Sequence, residues 1–76
     1  MKLHLDGFLP FFATPQRENI EVVLKEPARL GEILVHLGIP VSEIYMTVLN
    51  GETVTLDETL VRDSDVVRLI PPMDGG

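Results

Sequence analysis

Two carboxylates one residue apart, Asp63 and Asp65, and two histidines, His4 and His36, are the first places to look for chemistry in this 76-residue sequence. The DSD run at 63–65 brings two carboxylates close together, as a magnesium site would, but acidic and small residues also dominate ordinary turns. A turn is therefore the expectation. Neither histidine has a carboxylate at metal-ligand spacing, and Ser42 and Ser64 have no histidine near them in sequence, so a nucleophilic triad has no support. Cysteine is absent, which removes thiol nucleophiles, disulfides and cysteine metal sites. No glycine-rich loop lies between a strand and a helix to cradle phosphate. The sequence thus reads as a protein that is not itself an enzyme, with no catalytic side chain, no bound metal and no bound cofactor.

One group remains, and it is not a side chain. The chain closes on IPPMDGG, residues 70–76. Average glycine usage is about 7%, so a terminal Gly-Gly pair arises by chance in roughly 0.5% of chains. Pro71 and Pro72 fix φ and favour a stiff extended segment without internal hydrogen bonds. Met73 and Asp74 continue outward. Gly75 and Gly76 add no side-chain bulk, so the α-carboxylate of Gly76 can pass through a narrow channel in another protein. Six residues at about 3.1 Å each reach roughly 19 Å, enough to enter a partner's active site while the domain stays outside. A carboxylate is inert toward nucleophiles at neutral pH. It needs activation, most simply as a mixed anhydride with AMP, by a partner that uses ATP.

The elements that must present this tail follow from periodicity. Residues 2–8, KLHLDGF, alternate, with Leu3 and Leu5 inward and Lys2, His4 and Asp6 outward. LPFFATPQR, 9–17, reads as a loop with apolar contacts. NIEVVLK, 19–25, alternates again and sends Ile20, Val22 and Leu24 to the core, forming a hairpin with the first strand. The period then changes. Leu30, Ile33, Leu34 and Leu37 fall at i, i+3, i+4 and i+7 on one helix face. Pro27 suits the first helical position, Gly38 a left-handed end, and Pro40 blocks continuation. His36 sits in the last turn, where a cation is favoured.

YMTVLNGETVTL, 45–56, predicts a second hairpin, with Asn50-Gly51 in a type I′ turn. DETLVRDSD is a loop anchored by Leu60. DVVRLI is the last strand, with Val67 and Leu69 inward and Val66, Arg68 and Ile70 outward. An amphipathic helix and a one-faced sheet must cover each other. The expected fold is α+β: a β-grasp, ubiquitin-like, mixed sheet of four to five strands with one main helix on one face and the first and last strands central. Residues 1–70 form the domain and 71–76 an extended flexible tail.

Net charge is −6, from 12 acids and 6 bases, and the bases are scattered. That argues against nucleic acid, whose phosphates would repel the chain, and suits a basic protein partner. No run approaches the roughly 20 apolar residues of a membrane helix, and no secretory leader is visible. The expectation is a soluble cytoplasmic protein without nucleic-acid or membrane partners. Val23, Val66 and Ile70, with Arg68 among them, lie on the sheet face away from the helix and form an expected docking patch.

A chain that reads LNGE, then a D-x-D turn, VVRLIPP, and a final GG resembles the MoaD/ThiS family of ubiquitin-like sulfur carriers over essentially its whole length. The PP-x-x-GG ending is most similar to the molybdopterin-synthase small subunit. DSD stands where that family usually has DGD, and Asp74 adds a charge beside the terminus. The resemblance implies that a ubiquitin-activating-type adenylyltransferase uses ATP to adenylate Gly76. Sulfide from a persulfide donor then leaves a C-terminal thiocarboxylate. A large molybdopterin-synthase subunit, or another sulfur acceptor enzyme, takes the tail for molybdenum or tungsten cofactor synthesis. Ile70 matches a bulky apolar partner-contact position, and Gly75 and Gly76 match the terminal pair. The alternatives are sulfur delivery to the thiamine thiazole, or conjugation of Gly76 to lysines as a protein modifier.

Overall fold

The computed structural model describes residues 1–73 of the chain. Its regular elements are β1 (Lys2–Leu5), β2 (Asn19–Glu21), β3 (Ala28–Arg29), α1 (Leu30–Leu37), β4 (Met46–Leu49), β5 (Glu52–Val54), β6 (Leu60–Val61) and β7 (Val66–Ile70), with three short 3₁₀ turns between them. Five strands form one mixed sheet in the order β2-β1-β7-β4-β5. β1 and β7 are parallel and central, in the register Lys2↔Val66 to Leu5↔Leu69; the other pairs are antiparallel. This is the β-grasp arrangement expected from the sequence.

The helix lies across one face. Leu30, Ile33 and Leu34 are buried and Leu37 packs partly against the same core, so the i, i+3, i+4, i+7 stripe does what its spacing predicts. It meets Leu3, Leu5, Val67 and Leu69 from the central strands, all essentially without solvent contact. Each such side chain contributes about 1.5–3 kcal/mol by leaving water. Ile20 is buried, and Val22 and Leu24 pack against the core edge. The helix ends as predicted. Gly38 has φ +80°, its N–H donates to the Val35 carbonyl, and the Ile39 N–H reaches back to Leu34 at 2.9 Å. Ile39 buries its side chain beneath this cap.

The start of the helix differs from expectation. Pro27 is not its first residue; the helix begins at Leu30, after Arg29, which makes no side-chain cap. Ala28 and Arg29 are instead extended and pair antiparallel with Val61 and Leu60. The Leu30 N–H donates to Thr59 O at 3.1 Å, so a distant loop supplies an acceptor that a local cap would otherwise provide. The same pairing corrects the anchor of that loop. Neighbouring residues on a strand face opposite ways. Val61 is the buried one, and Leu60 is 59% exposed.

The Asn50-Gly51 turn is as expected, with φ +50° and +86°. Asn50 does more than turn the chain. Its side-chain amide donates to Asp65 Oδ1 at 2.9 Å and its Oδ1 accepts from the Val66 N–H at 2.8 Å, tying this hairpin to the start of β7. Asp65 also accepts from the Arg62 N–H at 2.8 Å. Asp63 accepts from the Leu24 N–H at 2.9 Å, and its backbone carbonyl accepts from the Met1 amino group at 2.7 Å. The DSD run is thus a turn whose carboxylates bind backbone. Among the described residues no group of three His, Cys, Asp or Glu is placed to hold a metal ion.

Two outcomes test this account. Val61→Ala should lower the unfolding free energy by more than about 1 kcal/mol, while Leu60→Ala stays within about 0.5 kcal/mol; urea titration distinguishes them, and equal losses would put the anchor elsewhere. Asp63 is held below its ordinary 3.8 by the Leu24 N–H and the nearby amino group. Asp65 is held below the same 3.8 by the Asn50 amide and the Arg62 N–H. A carboxylate so held binds fewer protons folded than unfolded. Its stabilisation is therefore present above the unfolded value and lost as pH falls through the folded one. The urea midpoint should be flat near neutrality and drop below about pH 4, with a shallower acid slope in Asp65→Asn.

Candidate functional site

The site is where β7 becomes tail. β7 runs up the middle of the sheet, and its last residues are held from both sides. The Asp6 N–H donates to Leu69 O at 3.0 Å, and the Tyr45 N–H donates to Ile70 O at 2.8 Å. Pro71 comes next and is buried, although the sequence assigns it to the free tail. Its ring lies against Gly7, at the end of β1, where an added Cβ would meet Pro71 Cγ at 2.8 Å. Exposed chain begins at Pro72, and Met73 is 89% exposed. Asp74, Gly75 and Gly76, on which the proposed chemistry depends, lie outside the described residues.

The patch residues sort along β7. Val66, Arg68 and Ile70 all project from the face opposite the helix, because Val67 and Leu69 occupy the inward positions. Ile70 is half-buried and stands across from Met46. Val66 is about half exposed, in a row with Lys2 and Glu21. Val23 is exposed but sits two residues past Glu21, beyond the far end of the sheet. It is about six strand steps, roughly 20 Å, from Ile70. The structure gathers Ile70, Arg68 and Val66 on one strand and leaves Val23 at the opposite end.

The row between Val66 and Ile70 is polar. Arg68 Nε donates to Asp6 Oδ2 at 2.8 Å, Asp6 Oδ1 lies 2.9 Å from His4 Nε2, and His4 Nδ1 lies 2.7 Å from Asn19 Oδ1. This network crosses β7, β1 and β2. His4 and Asp6 are two positions apart and share the outward side that the sequence assigns them, so they meet although the sequence spacing offers no metal-ligand set. The Arg68 guanidinium, by hydrogen bond and charge, holds Asp6 below the usual carboxylate range against partial burial, and His4 acts in the same direction. This ion pair is at the surface, so its effect is orientation more than stability.

The sequence missed a second feature beside the tail root. All three phenylalanines of the chain fall in one charge-free run, residues 7–15. Leu9 and Ala13 of that run are buried, while Phe8, Phe11 and Phe12 stay at the surface in edge-to-face contact, with ring centres 6.0 and 6.3 Å apart. Gly7, Phe8, Pro10, Phe11 and Gln16 line a shallow groove there. The absence of charge was the available signal; it marks an apolar loop but not which side chains turn outward. No helix among the described residues is long and apolar enough to cross a membrane.

The fold and the sequence that carry this tail root are similar to those of known proteins. A solved crystal structure described as the thiamine biosynthesis protein ThiS of Geobacter metallireducens is similar over the full length of both chains, with 28% identity and a TM-score of 0.59. A solution structure of a thiamine biosynthesis protein from the same organism is 28% identical with a TM-score of 0.55, covering all of this chain and 88% of that one. No curated protein gives a significant match. The sequence family called ThiS matches residues 9–76, which take in the aromatic loop, the helix, both hairpin strands, β7 and the tail. The resemblance read from the motifs was to MoaD and ThiS together, and nearest to the molybdopterin branch; the matches carry the ThiS name. By fold, length and sequence, this chain belongs to the ThiS family.

Proposed function

We propose that this protein is a sulfur carrier whose reactive group is the α-carboxylate of Gly76. The observation that carries the reading is the tail root in a ThiS-family chain: β7 is clamped up to Pro71, and Pro72 and Met73 are exposed. Five extended residues from Pro72 span about 16 Å, so the terminal carboxylate can enter a partner while the sheet stays outside. The protein acts as a co-substrate and does not turn anything over itself. A ubiquitin-activating-type adenylyltransferase binds ATP, the Gly76 carboxylate oxygen attacks the α-phosphorus, and pyrophosphate leaves. The outer sulfur of a donor cysteine persulfide then attacks the acyl carbon of the adenylate; the C–S bond forms, the C–O bond to AMP breaks, and an acyl disulfide results. A second thiol of the donor attacks the donor's cysteine sulfur, breaks the S–S bond and releases the thiocarboxylate, leaving a disulfide on the donor. Dependence on ATP and reduced sulfur suits a cytoplasmic setting.

Docking to these enzymes uses the outer face of β7. Ile70 lies nearest the emerging tail, Arg68 offers a charge and Val66 extends the contact along the strand. Val23 adds to it only for a partner that spans the sheet. Asp74 asks for a cation in the channel that receives Met73, Asp74, Gly75 and Gly76.

Two acceptors are supported by different observations. The similar solved structures are both described as thiamine biosynthesis proteins, which favours delivery of sulfur to the thiazole. The Pro71-Pro72 pair before Met73 and the glycines favours a large molybdopterin-synthase subunit and the dithiolene of molybdenum or tungsten cofactor.

Intact mass spectrometry of the protein from its native host checks the central step. The expected result is a fraction heavier by the exchange of one oxygen for one sulfur, located at Gly76 and absent when Gly75 and Gly76 are deleted, with the thermal midpoint unchanged. Branched peptides carrying this tail on lysine would replace the carrier by a protein modifier. An unmodified acid that no host extract with ATP converts would refute both. Sulfur transfer from the purified thiocarboxylate to a thiazole-forming or a pterin-handling enzyme then identifies the acceptor.

A further inference from the structure

On the β1 side, two consecutive residues make three contacts with the passage from β7 to tail. Asp6 holds Arg68 through its carboxylate at 2.8 Å and Leu69 through its N–H at 3.0 Å. Gly7 meets Pro71. The fit at Gly7 is specific. Its φ of +56° lies in the left-handed region, and a Cβ built there would come within 2.8 Å of Pro71 Cγ and 3.6 Å of Pro71 Cδ. The proline ring fills the space a side chain would take. Gly51 offers a contrast: its φ is +86°, yet an added Cβ meets nothing within 4 Å. Gly51 only turns the chain, whereas Gly7 turns it and leaves a notch.

We infer that Gly7 is a positioning residue for the tail: its bare Cα seats the Pro71 ring and so sets the direction in which the chain leaves the sheet from Pro72. Proline has one φ near −65°. With its ring seated at Gly7 and the preceding carbonyl held by Tyr45, little rotational freedom remains at the root. A channel that accepts a tail beside a docked domain must meet it at a set angle. A misplacement of about 1 Å at the root can then cost roughly a hundredfold in rate. The geometric part of the inference is independent of the chemistry; its functional consequence rests on the carrier reading.

The test uses the cysteine-free full chain. A nitroxide on Met73→Cys should broaden a restricted set of backbone amides in the wild-type background and a wider, weaker set with Gly7→Ala. Gly51→Ala carries a comparable backbone strain and should leave the pattern unchanged. ATP–pyrophosphate exchange with the host's activating enzyme should fall at least tenfold in kcat/KM for Gly7→Ala and less than twofold for Gly51→Ala. If Gly7→Ala does not fold, Pro71→Ala in the same chain removes Cγ and should restore folding; a double variant as unstable as the single one would overturn the notch. An unchanged nitroxide pattern in folded Gly7→Ala would overturn it too, as would wild-type exchange kinetics. Absence of exchange with wild-type protein would sink the carrier reading instead, and leave the nitroxide result to decide the geometry.

Discussion

The parallel pairing of β1 with β7 is the constraint on which the rest depends. It joins the two ends of the described chain, Lys2 to Val66 and Leu5 to Leu69, and buries Leu3, Leu5, Val67 and Leu69 under the helix. Parallel strands cannot be joined by a tight turn. Everything between them therefore serves as crossover and cover: β2 closes one flank, α1 roofs the core, and β4 and β5 close the other flank. The chain orders its last strand by using its first.

That pairing also decides where the tail starts. A tail on an edge strand would have one neighbour and a loose root. β7 is central, so its final carbonyls are taken by Asp6 on one side and Tyr45 on the other, and Pro71 settles against Gly7. Order persists to the last packed residue and exposure begins at the next. In the proposed carrier role, this division spares the entropy of ordering a long flexible root at each encounter.

The outer face divides as well. The carboxylates that composition singled out, Asp63 and Asp65, are occupied with backbone N–H groups and the Asn50 amide. The charged residues nearest the tail, Asp6 and Arg68, are occupied with each other. The loop that carries Phe8, Phe11 and Phe12, which starts one residue beyond the proline notch, exposes three aromatic side chains. Such a distribution places an exposed apolar surface beside the tail root, next to charges that are already paired with each other.

Periodicity alone determined the β-grasp, the inward residues of β1, β2 and β7, the helix face and the Asn50-Gly51 turn. Each of these follows from short-range geometry: a period of two, a period near 3.6, or a positive φ that asparagine and glycine tolerate. The chemistry proposed at Gly76 rests on the sequence alone, because a small-residue terminus can be read without a pocket. Tertiary structure decided what depends on residues far apart in sequence. Pro27 suits an extended residue as well as a helix start, and only the arrival of Leu60 and Val61 beside Ala28 and Arg29 selected the strand. Leu60 and Val61 are equally apolar, and only the side from which β3 approached determined which was buried. Gly7 and Pro71 are 64 positions apart and each looks like an ordinary turn residue. Their contact exists because two parallel strands end side by side, a fact that no local pattern contains.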